Sequence, residues 1–166
     1  MSQASNHVSW CINKAKKELQ EGKKHRGIVE ILPNIEKAKK HIEKAEHNFN
    51  AILYFKQGGY SDWSVSAAFY TLYHCFLAIL AKHGYESRNQ ECTISSIQYL
   101  KENKKIAIED RFIEALQHAD NSNDTIIELR EDFQYGVKKE IEDNRIEMLL
   151  EMCKELIHIT KEEIYT

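Results

Sequence analysis

"WSVSAAFYTLYHCFLAILA", residues 63–81, contains no Asp, Glu, Lys or Arg, in a chain where those four types make up 30% of all residues. A run this apolar, close to the ~20 residues that cross a bilayer, is either a membrane span or a helix enclosed by other helices. Ser64, Ser66, Tyr70, Thr71, Tyr73 and His74 decide against the membrane, because each would need a hydrogen-bond partner in hydrocarbon. The segments on either side decide the same way: they are amphipathic, and their apolar stripes need an apolar helix to pack on. The expectation is a buried central helix in a water-soluble bundle, with no membrane partner.

Working outward, Ile35, Ala38, Ile42, Ala45, Phe49 and Ile52 step by three and four residues and form one stripe opposite a Lys/Glu-rich face. Pro33 suits the first turn of that helix, and Gly58 and Gly59 suit its end. Ser61 or Asp62 is placed to cap the central helix, and Gly84 to stop it. Nearer the N-terminus, Val8, Ile12, Ala15 and Leu19 mark a helix over about 6–20. A basic connector between Gly22 and Gly27 follows, then a short apolar stretch ending at Pro33. Downstream, 86–91 reads as a loop. Helices are expected over 92–103, with Ile94, Ile97 and Leu100 inward, and over 107–118, with Ile108, Phe112 and Leu116 inward. A turn-rich break at 120–124 precedes a helix that Thr125 and Glu128 start as a capping box, with Ile126, Leu129 and Phe133 inward. Ile146, Leu149, Cys153, Leu156 and Thr160 define a last helix.

No segment alternates convincingly as a strand, and one proline with six glycines leaves few residues for the turns a sheet protein needs. The fold class is therefore all-α: an up-and-down helical bundle of four to five main helices over 34–166, with an N-terminal helical extension over 1–33.

The net charge of −3 supplies no global field for nucleic acid, and the lysine-rich stretches 14–24 and 37–44 are interleaved with glutamate. Cys11, Cys75, Cys92 and Cys153 are widely spaced, which reads as four free thiols in a reducing cytoplasm. Residues 1–7 are polar and lack the apolar core of a signal peptide. A di-metal carboxylate bundle needs two ExxH motifs, and Glu155/His158 supplies one alone. Paired Cys/His zinc spacing and the glycine-rich phosphate loops are also missing, so no metal and no cofactor is expected. His74 and Cys75 are chain neighbours, about 100° apart on a helix, which is wrong for a nucleophile pair.

Tyr70, Tyr73 and His74 are the polar groups of an otherwise apolar helix. They either satisfy their polar tips at the core edge or line a groove or subunit interface. Arg130 is the other candidate. It either joins a surface ion pair or offers its planar fork to a phosphate.

Taken together these segments resemble the HEPN family. "HIEKAEHNFNAILYFKQGGYSDWSVSAAFYTLYHCFLAILAKHGYES" is similar to that family's first helical hairpin, "LREDFQYG" at 129–136 to its second signature, and "EMLLEMCKELI" to its closing helix. The resemblance covers roughly 35–164. It implies a usually dimeric helical bundle. Many relatives are metal-independent endoribonucleases, often toxins paired with a small nucleotidyltransferase-type antitoxin, and others are non-catalytic binding modules. Active relatives carry Arg, four to six residues, then His. Arg130 matches the arginine, but Tyr135 stands where the histidine is expected. That Arg-x4-Tyr pattern resembles a prokaryotic subgroup of doubtful activity. Tyrosine titrates near ~10 and is a poor base at neutral pH. The resemblance therefore implies an RNA- or nucleotide-binding component of a toxin–antitoxin or defence pair with weak or absent nuclease activity. Its alternatives are an active metal-independent endoribonuclease centred on Arg130 and Tyr135, and a non-catalytic protein-interaction module. Tyr70, Tyr73 and His74 are the expected binding residues.

Overall fold

The computed structural model describes residues 1–118 and 125–166. The expected turn-rich break at 120–124 lies outside them. In chain order the elements are α1 (Gln3–Gln20), β1 (Ile28–Glu30), α2 (Ile35–Gln57), α3 (Ser61–Lys82), β2 (Tyr85–Ser87), α4 (Gln90–Glu102), α5 (Asp110–Ala115), α6 (Ile126–Tyr135) and α7 (Asp143–Tyr165). The architecture is the expected all-α bundle. Helix α3 is its axis: α2 packs along it as an antiparallel partner, and α4, α6 and α7 close the other sides.

Enclosure of α3 follows from its composition. Phe69, Leu72, Phe76, Ile79 and Leu80 are all within 1% of full burial. Each contributes roughly 1.5–3 kcal/mol by leaving water. The helix is long and apolar enough to cross a membrane, yet 67% of its most apolar window is buried inside the fold. Its polar groups find partners there. The Ser64 hydroxyl donates to the Ile52 carbonyl at 2.7 Å, and the Thr71 hydroxyl to the Ala67 carbonyl at 2.8 Å. On the opposing face Ile146, Leu149, Cys153, Leu156 and Thr160 of α7 are all buried, as their spacing predicts.

Several boundaries differ from the sequence reading. Pro33 sits one residue outside the helix start, where Asn34 is the cap and its side chain accepts the Lys37 N–H at 2.9 Å. Neither Ser61 nor Asp62 caps α3. Ser61 lies inside its first turn and its hydroxyl accepts the Ile141 N–H at 3.1 Å, fixing the segment before α7. The 107–118 helix shrinks to α5, because Ile108 is buried by a non-helical segment. Thr125 does cap α6, accepting the Glu128 N–H at 3.4 Å.

The largest corrections concern residues 28–31 and 84–88. Instead of a coil and a loop they form an antiparallel pair, with Ile28 opposite Ser87 and Glu30 opposite Tyr85. Three residues per strand are too few for alternation to register in a sequence. The pairing is set by what flanks it: Ile31 N–H donates to Gly84 O at 2.8 Å, and Asn34 N–H to Ala81 O at 2.9 Å. Gly84 has φ +85°, and a Cβ there would stand 2.8 Å from Ile31 O, so the crossing requires glycine.

The same ribbon draws α1 onto α4. Cys11 and Cys92, expected as free thiols, are joined as a disulfide across 81 residues of sequence. Nothing in their spacing signals that meeting. Cys75 and Cys153 are free and buried. Burial pushes the Cys75 thiol up to about 12 and Cys153 well above its ordinary value, so both stay protonated and unreactive at neutral pH.

Glu86 ties the ribbon together. Its carboxylate meets Lys37 at 2.5 Å, Arg88 at 3.2 Å and His25 at 3.3 Å. The Lys37 hydrogen bond holds it down to about 2. A carboxylate lowered by folding stabilises above its unfolded value and loses that contribution as pH falls toward 2. Glu86→Gln should therefore lower stability at pH 7 and flatten its fall between about pH 4.5 and 2, read by urea unfolding across pH. An unchanged slope would contradict the hub. At Gly27 a Cβ would lie 2.2 Å from Cys11 O. Gly27→Ala must lift the connector from α1, at a cost of about 3 kcal/mol or a Tm loss of ~8 °C.

Candidate functional site

Two helix faces meet on one side of the bundle. On α3, Trp63, Ser66 and Tyr70 follow at intervals of three and four, so they share a face. Trp63 is 53% and Tyr70 40% exposed on a helix otherwise almost wholly buried. On α6, Arg130, Phe133 and Gln134 share a face by the same spacing. Asp62, Trp63, Ser66, Phe133, Val137, Lys138 and Lys139 are among the residues that line a groove of about 350 Å³ between α3, the C-terminal end of α6 and the segment that follows it.

Arg130 sits further along this seam. Its guanidinium carbon lies 4.1 Å from the centroid of the Phe69 ring and 5.8 Å from that of Tyr70. One amino group donates to the Tyr70 hydroxyl at 3.4 Å. Phe69 and Tyr70 meet edge to face at 5.1 Å, so the arginine rests on a corner of two rings. Contacts of this kind are worth about 0.5–2 kcal/mol and fix the plane of the fork. Among the described residues the Arg130 Nε is buried and makes no hydrogen bond. The guanidinium is thus held by two rings and one hydroxyl, and an anion would meet it at the Nη groups, since Nε is enclosed.

The other expected residues separate. Tyr135 is 77% exposed at the end of α6 and is not among the contacts of Arg130. Tyr73 turns toward α4, stacks on Phe69 at 6.1 Å and meets the Thr93 hydroxyl at 3.3 Å. Burial raises its phenol above the ordinary value. It shapes the rear of the site by holding Phe69. His74 pairs with His41 of α2, Nδ1 to Nδ1 at 3.0 Å. One of the two must carry the proton and the other accept it. Burial, then the neighbouring His41, pushes His74 down to about 4, and burial lowers His41 as well. At neutral pH His74 is therefore uncharged and committed to His41, which removes it as an acid–base partner for Arg130.

Sequence reasoning missed Phe69 as the platform of Arg130, and it missed Trp63, Lys138 and Lys139. The exposed tryptophan beside a helix start was the one available signal. The grouping of three metal-ligating side chains among the described residues, His7, Cys11 and Cys92, belongs to α1 and α4, not to this seam.

Comparison with known proteins bears on this geometry. The model of the family described as HEPN domain matches residues 38–164, from within α2 to the end of α7. It thus includes both helices of the seam. No curated protein matches the chain.

The histidine pair yields a direct measurement. Proton NMR titration should give His74 a midpoint near 4, and His41→Ala should move it toward the ordinary 6.5 by admitting water. The unfolded chain takes up that proton near 6.5 and the folded chain only near 4, so stability falls as pH drops through that window.

Proposed function

This chain belongs to the HEPN family, and on that premise we propose that it binds RNA or a nucleotide along the α3–α6 seam, as a component of a toxin–antitoxin or defence pair with weak or absent nuclease activity. The observation that carries the reading is Arg130, braced on Phe69 and Tyr70 in the α3–α6 seam. A guanidinium held this way presents a rigid fork to a phosphate without an entropy cost for ordering it. Exposed Trp63 supplies a ring on which a base can stack, and Lys138 and Lys139 supply charge for the backbone. A local basic and aromatic strip of this kind works on a chain of net charge −3, because phosphate contacts are short-ranged in physiological salt.

The weak or absent nuclease activity follows from the residues around the arginine. Cleavage by attack of the RNA 2′-hydroxyl needs a base near neutral pKa and an acid for the leaving oxygen. Tyr135 stands outside the contacts of Arg130, and His74 is held neutral elsewhere. Arg130 can neutralise a phosphate and Tyr70 can orient it. Neither is a side chain of the kind that most often serves as a general base for a hydroxyl in such a cleavage. The seam is open on one side, and a second copy of the chain would close it. The proposed unit is a homodimer of cytoplasmic chains, partnered by a small nucleotidyltransferase-type antitoxin.

Fluorescence anisotropy with a labelled oligoribonucleotide tests the binding. Arg130→Ala and Trp63→Ala should each weaken it by roughly tenfold, with the folded spectrum intact. Retention of full affinity in both variants would remove the seam as the binding site. A cleavage assay in chelator tests the activity. Wild type should cut no faster than Arg130→Ala, and a clear rate lost in that variant would replace the binding reading with an active ribonuclease. Light scattering should give about twice the 19.5 kDa chain mass, and a clean monomer would contradict the closed seam.

A further inference from the structure

His7, Cys11 and Cys92 place their ligand atoms within 4.8 Å of one another. His7 and Cys11 lie four apart on α1 and so project from one face of it, while Cys92 faces them from the first turn of α4. We propose that in the reduced protein these three side chains bind a soft divalent metal of the zinc class, so that α1 is fastened to the bundle by a disulfide under oxidising conditions and by a metal under reducing ones.

The chemistry of the donor set fits. Two thiolates and a neutral imidazole are a standard donor set for zinc, and their two negative charges cancel those of the ion. Both sulfurs are fully buried, and His7 is half-buried, at the wall of an open pocket of about 410 Å³ shared with Ser95, Gln98 and Glu102. The pocket reaches the site at His7, which is the side from which a metal would approach the enclosed sulfurs. Ser95 Oγ, 2.5 Å from His7 Nδ1, fixes the ring, as an outer partner does for a ligating imidazole. Trp10 stacks on the same ring at 5.5 Å with its plane tilted by 16°. Cys92 occupies the third position of α4, where the Asn89 side chain accepts its N–H at 3.0 Å. A helix N-terminus favours the thiolate the metal needs.

The exchange balances. A dithiol reductant gives two electrons and two protons to the Cys11–Cys92 bond and is itself oxidised to a disulfide. The metal then binds the two sulfurs and their protons pass to solvent. Movement is small, because the sulfurs need only separate within a cluster already assembled. The fold has reason to hold this point in either state. Gly27 presses on the Cys11 carbonyl and Glu86 gathers Lys37, Arg88 and His25 on the ribbon, so a loose α1 would undo the ribbon as well.

Cobalt(II) titration of the full chain, reduced with a phosphine and freed of metal, tests the site. Wild type should develop thiolate-to-cobalt charge-transfer absorption that saturates at a single equivalent and is displaced by zinc. The oxidised protein should stay silent. His7→Ala keeps both cysteines and therefore the fold of the oxidised state, and it should weaken binding by at least about tenfold. Cys92→Ser should abolish the band. Zinc should also raise the Tm of reduced wild type but not of reduced His7→Ala. A silent reduced wild type, or a His7→Ala titration that overlays wild type, would overturn the metal site and leave a disulfide alone.

Discussion

The uncharged surface of α3 is the constraint on which the rest of this structure depends. A helix apolar around its whole circumference must be covered on every side, and a chain of this size covers it by wrapping α2, α4, α6 and α7 about it. The hydroxyls along the helix do not oppose burial, because Ser64 and Thr71 donate to carbonyls within reach. The cover is incomplete in one place. Toward the seam with α6, Trp63 and Tyr70 remain at the surface, and Arg130 lies over Phe69 in place of an aliphatic side chain. Arg130 and the exposed rings thus occupy the gap in the packing that α3 otherwise demands.

That view links three groups that look unrelated in the chain. Tyr73 and Phe69 stack toward α4, which fixes the ring under Arg130. The His41–His74 pair locks α2 to α3 one turn further on, in a state uncharged at neutral pH. At the far side of α4, Cys11 and Cys92 fasten α1. By the loop-entropy account, closing a segment of this length is worth about 4–5 kcal/mol. The N-terminal helix packs on α4 through Val8 and Ala15, and the disulfide and the close approach at Gly27 add to that contact.

Much of this was legible in the residues. The buried stripe of α7, the cap at Thr125 and the enclosed character of α3 all follow from spacings within a turn or two, where local geometry is decisive. What could not be read were meetings between distant segments. Three-residue strands leave no period, a disulfide spanning 81 residues leaves no motif, and His41 gives no hint that it faces His74. Arg130 stands out as a candidate from its surroundings in the chain, whereas its contact with Phe69 does not, because a buried phenylalanine in an apolar helix looks like its neighbours. Tyr70, Tyr73 and His74 formed one cluster by sequence, yet each side chain serves a different helix interface.

The central claim is that the α3–α6 seam, organised around Arg130, is where this HEPN chain meets its ligand. Its most direct test is an NMR titration with a short oligoribonucleotide, following the Trp63 indole N–H and the Arg130 Nε–H. The account predicts that these two signals shift together and first, with Lys138 and Lys139 following and the His41–His74 pair unmoved. Shifts confined to the opposite side, around His7, Ser95 and His118, with the Trp63 and Arg130 signals unchanged, would contradict it.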